Sequence, residues 1–204
     1  MRARLRAILA LAAPTALVSV LQVSAQLFET WLAARQGTAA LAGWAVVLPF
    51  ALLMQMMSTG AMGGGVVSAI ARALGAGRRD EAAALVLHAV LIALAAGLLF
   101  ALPLALAPRA LLGLVGGTAA AEAAATYAFW LFGAGAVPAW LANTLASVLR
   151  GGGRHALAAR VLVLAWLAWP PLGWALAEPA GMGLAGLGAG FAARGALTAM
   201  SEAI

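Results

Sequence analysis

Cysteine is absent from this 204-residue chain, which excludes disulfides and thiolate metal sites. Charge is scarce. Asp, Glu, Lys and Arg make up 9% of the residues against 65% hydrophobic, and the mean hydropathy is +1.03. A soluble domain of this size has too little interior to hide that much apolar surface. Catalytic constellations are missing too. The six acidic residues and two histidines offer no paired carboxylates, no His/Glu metal spacing and no Ser-His-Asp set, so no enzyme is expected. The glycine-rich stretches 149–155 and 181–186 follow no strand. Neither reads as a phosphate or dinucleotide cradle.

What remains is a chain built for lipid. Its long Ala/Leu runs favour helices, since the strands of a membrane barrel alternate over about ten residues. The expected fold is an all-α integral membrane protein with six transmembrane helices, at about 5–34, 39–74, 82–106, 119–149, 156–177 and 183–204. The start of the chain resembles a signal peptide, but its apolar run continues well past the one Ala-x-Ala, so it reads as an uncleaved first span. Pro49 and the glycines at 63–65 are candidate kinks in span two, and Gly60 with Gly64 has the spacing of a helix-packing pair. Pro138 should kink span four. Asp80 is placed to cap span three, Thr118 to cap span four, and Tyr127 with Trp130 to join an aromatic belt at the outer surface.

Lysine is absent, and all twelve basic residues are Arg. The resulting pI near 11.7 does not mark a nucleic-acid surface, because the arginines cluster where spans end. Arg2, Arg4, Arg6, Arg72, Arg78, Arg79, Arg150, Arg154 and Arg160 fall on one side, against Arg35 and Arg109 on the other. That bias predicts a multi-pass protein of a bacterial-type inner (plasma) membrane with both termini cytoplasmic.

The most informative stretch lies in span one. Thr15, Ser19, Gln22, Gln26 and Glu29 are spaced four, three, four and three residues apart, within roughly 80° of one helix face at 100° per residue. The opposite face is mostly Leu, Val and Ala. In lipid such a seam turns inward, and an acid placed there costs about 2.5–3.5 kcal/mol on insertion scales unless a partner or a wet cavity compensates. Asn143 and Thr144, just inward of Pro138, are candidates either to line a cavity or to bridge helices. Arg194, near the middle of span six, is the second ionisable group placed inside the membrane. Glu29 and Arg194 either form an ion pair or stand apart, and standing apart is the expectation.

QLFETWLAARQGTAALAGWA, SAIARALGAGRRDEAAALVLHA, LRGGG and GMGLAGLGAGFAAR resemble, in order and spacing, the multidrug and toxin extrusion (MATE) transporters. The second stretch is the most specific, and the resemblance covers essentially the whole chain. It implies one lobe of a MATE-like twelve-helix transporter, the amino-terminal one. Such transporters export cationic or aromatic compounds in exchange for protons or sodium ions, with no other cofactor. The resemblance implies that Glu29 is the coupling carboxylate, where the family usually has Asp. From the seam and the placement of the other polar groups in the spans, Ser19, Gln22, Gln26, Asn143, Thr144 and Arg194 are the residues expected to line the cavity. The expected partners are the lipid bilayer, a drug-like or cationic small molecule and a second six-helix lobe, with no nucleic acid. The chain departs from the pattern in span five, which lacks the acid and asparagines of some members, and at Arg154, which follows LRGGG where an acidic or small residue is usual. A truncated or scaffold subunit without transport activity, and a lipid-linked-sugar flippase of the same superfamily, are the alternative expectations.

Overall fold

The computed structural model describes residues 2–203, with side-chain surroundings for residue 13 and from residue 16 onward. The side chain of Thr15, at the inner end of the polar seam, lies outside that description. Every described element is helical: α1 (Arg2–Arg35), α2 (Thr38–Met56), α3 (Gly63–Gly75), α4 (Arg79–Leu106), α5 (Pro108–Ala128), α6 (Ala136–Gly151), α7 (His155–Ala177) and α8 (Leu184–Ala203). They make six rods, because π-helical segments join α2 to α3 (Met57–Met62) and α5 to α6 (Phe129–Ala134).

Four rods are long and apolar enough to cross a bilayer, over Ala16–Arg35, Thr38–Gly75, Arg79–Leu106 and His155–Ala177. The α5–α6 rod makes a fifth if its 44° bend is counted within one span. The sixth rod, α8, is less apolar because four glycines, Arg194 and Glu202 dilute it. Side chains such as Leu99, Leu106, Met56 and Leu164 stand out from the bundle as lipid-facing groups would.

Local chemistry corrects several details expected from sequence. The α2–α3 rod runs on through Pro49, which sits inside α2. Its irregularity is the π segment just before Gly63, where Ser58 and Thr59 both donate hydroxyl hydrogen bonds to the Gln55 carbonyl (3.2 and 2.7 Å). The kink expected of Pro138 is present: the α5–α6 rod bends by 44° at Gly135, in the turn before the proline, where its ring crowds the carbonyl four residues back. Gly117, at φ 76° and ψ 171°, breaks α5 near its middle, so that the residues before and after it form two helical pieces across a kink. Such a positive φ is open to glycine at little cost. Asp80 makes no side-chain cap; Arg78 is the N-cap residue, and it pairs instead with Glu81 at 2.6 Å.

Small residues set the packing. In lipid there is little hydrophobic force between helices, so close backbone approach and dispersion must hold the bundle. A Cβ on Gly43 would lie 2.9 Å from the backbone at Ala123 and Ala124, and one on Gly97 2.8 Å from Val137 Cα. These two contacts seat α2 against α5 and α4 against the start of α6. By contrast, Gly60 and Gly64 face open space within this chain. Their spacing marks no helix contact among the described residues.

Candidate functional site

Three buried aromatic positions explain how the interior forms around Glu29. Tyr127, on α5 just before the π segment, is 3% exposed, and its hydroxyl donates to Glu29 Oε1 at 2.5 Å. It is therefore not part of an outer belt, as its place in the sequence suggested. Its ring is packed in the core and its one polar atom finds the carboxylate. Trp44 on α2 borders the same cavity as Glu29 and Tyr127. Trp169 on α7 is 2% exposed, its ring fitted against Gly173 and Gly190 so closely that a Cβ at either would strike it.

These groups line a half-open cavity of about 70 Å³. Its polar wall is Gln22, Gln26 and Glu29 of α1 with Gln55 of α2. The remainder is mainly aromatic: Trp44, Tyr127, Trp166, Trp169 and Phe191. The volume accommodates a few waters or a bare cation, and the glutamines supply donors and acceptors to hold them. Glu29 thus has the polar neighbours that make a carboxylate tolerable at this depth.

The other candidates are placed differently. Ser19 is solvent- or lipid-exposed and does not border the cavity. Asn143 donates from Nδ2 to Ser58 Oγ at 2.8 Å, bridging α6 to the π segment after α2. Within α6, Ser147 donates to the Asn143 carbonyl and accepts from Arg150 at 3.0 Å. Thr144 is fully buried, and its hydroxyl has no hydrogen-bond partner among the described residues. Neither Asn143 nor Thr144 reaches the Glu29 cavity. Arg194 borders a separate groove of about 260 Å³ between α7 and α8, with its guanidinium carbon 4.1 Å from the Trp166 ring and 4.7 Å from that of Phe191. The salt bridges among the described residues are Arg35–Glu178, Arg78–Glu81 and Arg109–Glu122; none joins Arg194 to Glu29.

A bundle of apolar helices around a cavity with one carboxylate, several amides and aromatic walls has the build of a membrane transporter lobe. The chain matches the MatE family over residues 14–175, and it belongs to that family. Among solved structures it is similar to a MOP superfamily transporter from Pyrococcus furiosus for which a reversed polarity of the binding pocket suggests a different function (24% identity, TM-score 0.87). It is equally similar to an outward-facing multidrug resistance MATE family transporter of the MOP superfamily (24%, 0.87). A MATE in complex with MaL6 gives 26% and 0.86. Each match covers 97% of this chain but 43 or 44% of the other. The chain therefore has the fold of one lobe and spans less than half the length of the structures it matches. No curated protein matches it.

Proposed function

We propose that the chain is one lobe of an antiporter that exports aromatic or cationic compounds in exchange for protons or sodium ions, with Glu29 as the group that takes up and releases the coupling ion. One observation carries the reading: the carboxylate among the described residues that borders the central cavity is Glu29, held there by the Tyr127 hydroxyl and surrounded by rings. Aromatic faces attract flat apolar molecules and organic cations alike, and family membership supports export as the direction. A second six-helix lobe, in the same polypeptide or another, completes the translocation path. The flippase alternative fits less well, because a pyrophosphate headgroup needs cations inside the cavity, and Arg194 borders the groove outside it instead. A non-transporting scaffold would have no use for a buried carboxylate with a dedicated hydroxyl donor.

The arginine bias supports a bacterial-type inner membrane and cytoplasmic ends. Cysteines at Gly77 and Gly152, both exposed turn positions, should resist an impermeant thiol reagent in intact cells. A cysteine at Thr38, at the start of α2, should react. Labelling of Gly77 from outside would invert the topology. For the activity itself, the complete two-lobed transporter in proteoliposomes should expel a fluorescent aromatic base when a proton or sodium gradient is imposed. Movement indifferent to both gradients would sink the antiport reading.

A further inference from the structure

Arg194 is a buried cation without an anion. It lies midway along α8 and is 9% exposed. Among the described residues its guanidinium has no ion pair and no hydrogen-bond acceptor. The rings of Trp166 and Phe191 lie 4.1 and 4.7 Å from its central carbon. Ring faces attract the charge, but they offer no lone pairs to its N–H hydrogens. A charge buried in that condition carries an uncompensated loss of hydration. The side chain calls for an acceptor that the lobe itself does not supply.

The groove of about 260 Å³ between α7 and α8 is where such an acceptor can reach it. Nε is sealed inside the bundle, whereas the two terminal nitrogens keep some exposure. Arg194 borders this groove and not the Glu29 cavity. The walls are apolar, with Leu164, Leu172 and Leu197 among them. Leu164 and Leu197 are exposed, so the groove opens on the outside of the lobe. Two hydroxyls border it as well, but both already donate within α8, Thr198 to the Arg194 carbonyl and Ser201 to the Leu197 carbonyl, each at 2.8 Å. The guanidinium is therefore the donor left for an anion. One cation among apolar walls fits a monoanion with a hydrophobic body better than a doubly charged phosphate ester.

Size and depth narrow the class further. The groove has room for about nine non-hydrogen atoms at the ~30 Å³ that a water takes in the liquid. Arg194 is roughly ten residues, or about 15 Å at the helical rise, from either end of α8. A lipid phosphate held at the membrane surface does not reach that depth. A small carboxylate with an apolar body does, entering along the open side of the groove. We propose that the α7–α8 groove is a second binding site of the lobe, which takes a small monocarboxylate with an aliphatic or aromatic body. The carboxylate accepts hydrogen bonds from Arg194, and the body lies against Leu164, Leu172 and Leu197. This site lies apart from the Glu29 cavity, is of opposite charge, and stands independently of the antiport reading.

The test uses benzoate and benzamide, which are of that size, share one planar shape and differ in a single charge. Binding of each to the full chain in nanodiscs of neutral lipid is followed by ligand-observed NMR, with empty nanodiscs as the blank. Benzoate should bind about tenfold tighter than benzamide, as hydrogen bonds between ions imply. Arg194→Met should weaken benzoate about tenfold and leave benzamide within about twofold. Ala168→Phe, which fills the groove from α7 and leaves Arg194 in place, should weaken both. If the Met variant does not give monodisperse protein, Arg194→Gln set against Arg194→Lys makes the comparison, the Lys variant keeping a preference for benzoate that the Gln variant loses. A native chain without that preference, or a preference that removal of the Arg194 charge leaves intact, overturns the inference. Binding of both ligands that Ala168→Phe leaves unchanged places them elsewhere and overturns it too. A phospholipid that copurifies with the native chain and is lost from Arg194→Met gives the groove to a lipid headgroup, with the same consequence.

Discussion

Replacing Glu29 with glutamine is expected to leave a folded lobe and to reduce gradient-driven export to the background of empty vesicles. Glutamine has nearly the size of the native side chain, and its amide oxygen can still accept from the Tyr127 hydroxyl, which donates to Oε1 at 2.5 Å. What it cannot do is hold a negative charge or exchange a proton. If Glu29 couples ion to substrate, the variant should still bind ligand, and ligand movement should no longer answer to the gradient. Tyr127→Phe should be milder. It removes one hydrogen bond to a charged group, worth about 1.5–3 kcal/mol, and leaves the carboxylate in place. The measurement is efflux of a fluorescent aromatic base from proteoliposomes of the complete transporter, normalised to inserted protein. Native coupling in the glutamine variant would remove Glu29 from the mechanism.

Glu29 was legible in the sequence because one helix with a strict polar period is a local pattern. Gln22 and Gln26 followed from the same period, and both border the cavity. The partner was not legible. Tyr127 is 98 positions away, and a lone tyrosine near the outer end of a span carries the same local signal whether it faces headgroups or the core. Trp44, Trp166 and Trp169 hid for the same reason. In a chain this apolar, an aromatic residue gives no sign of which neighbour it will meet. Asn143 reads from sequence as either a cavity group or a helix bridge, and only the position of Ser58 across the bundle favours the bridge. The rods themselves were readable from hydropathy and from turn residues such as Gly37, Gly77 and Gly153, all at positive φ. The two π segments were not. They depend on how hydroxyls and neighbouring rods draw single carbonyls out of register, which no one-dimensional period records.

The glycines separate the same way, and their substitution is the sharpest test of the packing. Gly188→Leu is expected to abolish folded protein, whereas Gly64→Leu is expected to be tolerated. In sequence both are glycines in apolar helices. In the bundle a Cβ at position 188 would lie 2.8 Å from the Tyr127 carbonyl oxygen, 2.8 Å from Trp130 Cβ and 3.1 Å from the Leu131 amide nitrogen. Two of those three atoms are backbone, so no side-chain rotation relieves the clash. α8 would have to move away from the end of α5, the turn that carries Tyr127 to Glu29. Overpacking a close contact costs about 1–3 kcal/mol even when the surroundings can shift. Here the shift would also disturb the cavity wall formed by Tyr127, Leu131 and Phe191. Gly64 has nothing within 4 Å of its would-be Cβ and is exposed. Leucine there gains helix propensity of nearly 1 kcal/mol over glycine. Size-exclusion chromatography of detergent-solubilised chain after a heating series would read both. Gly188→Leu protein that elutes as a single species and melts with the native chain would show that α8 does not pack on α5 as described.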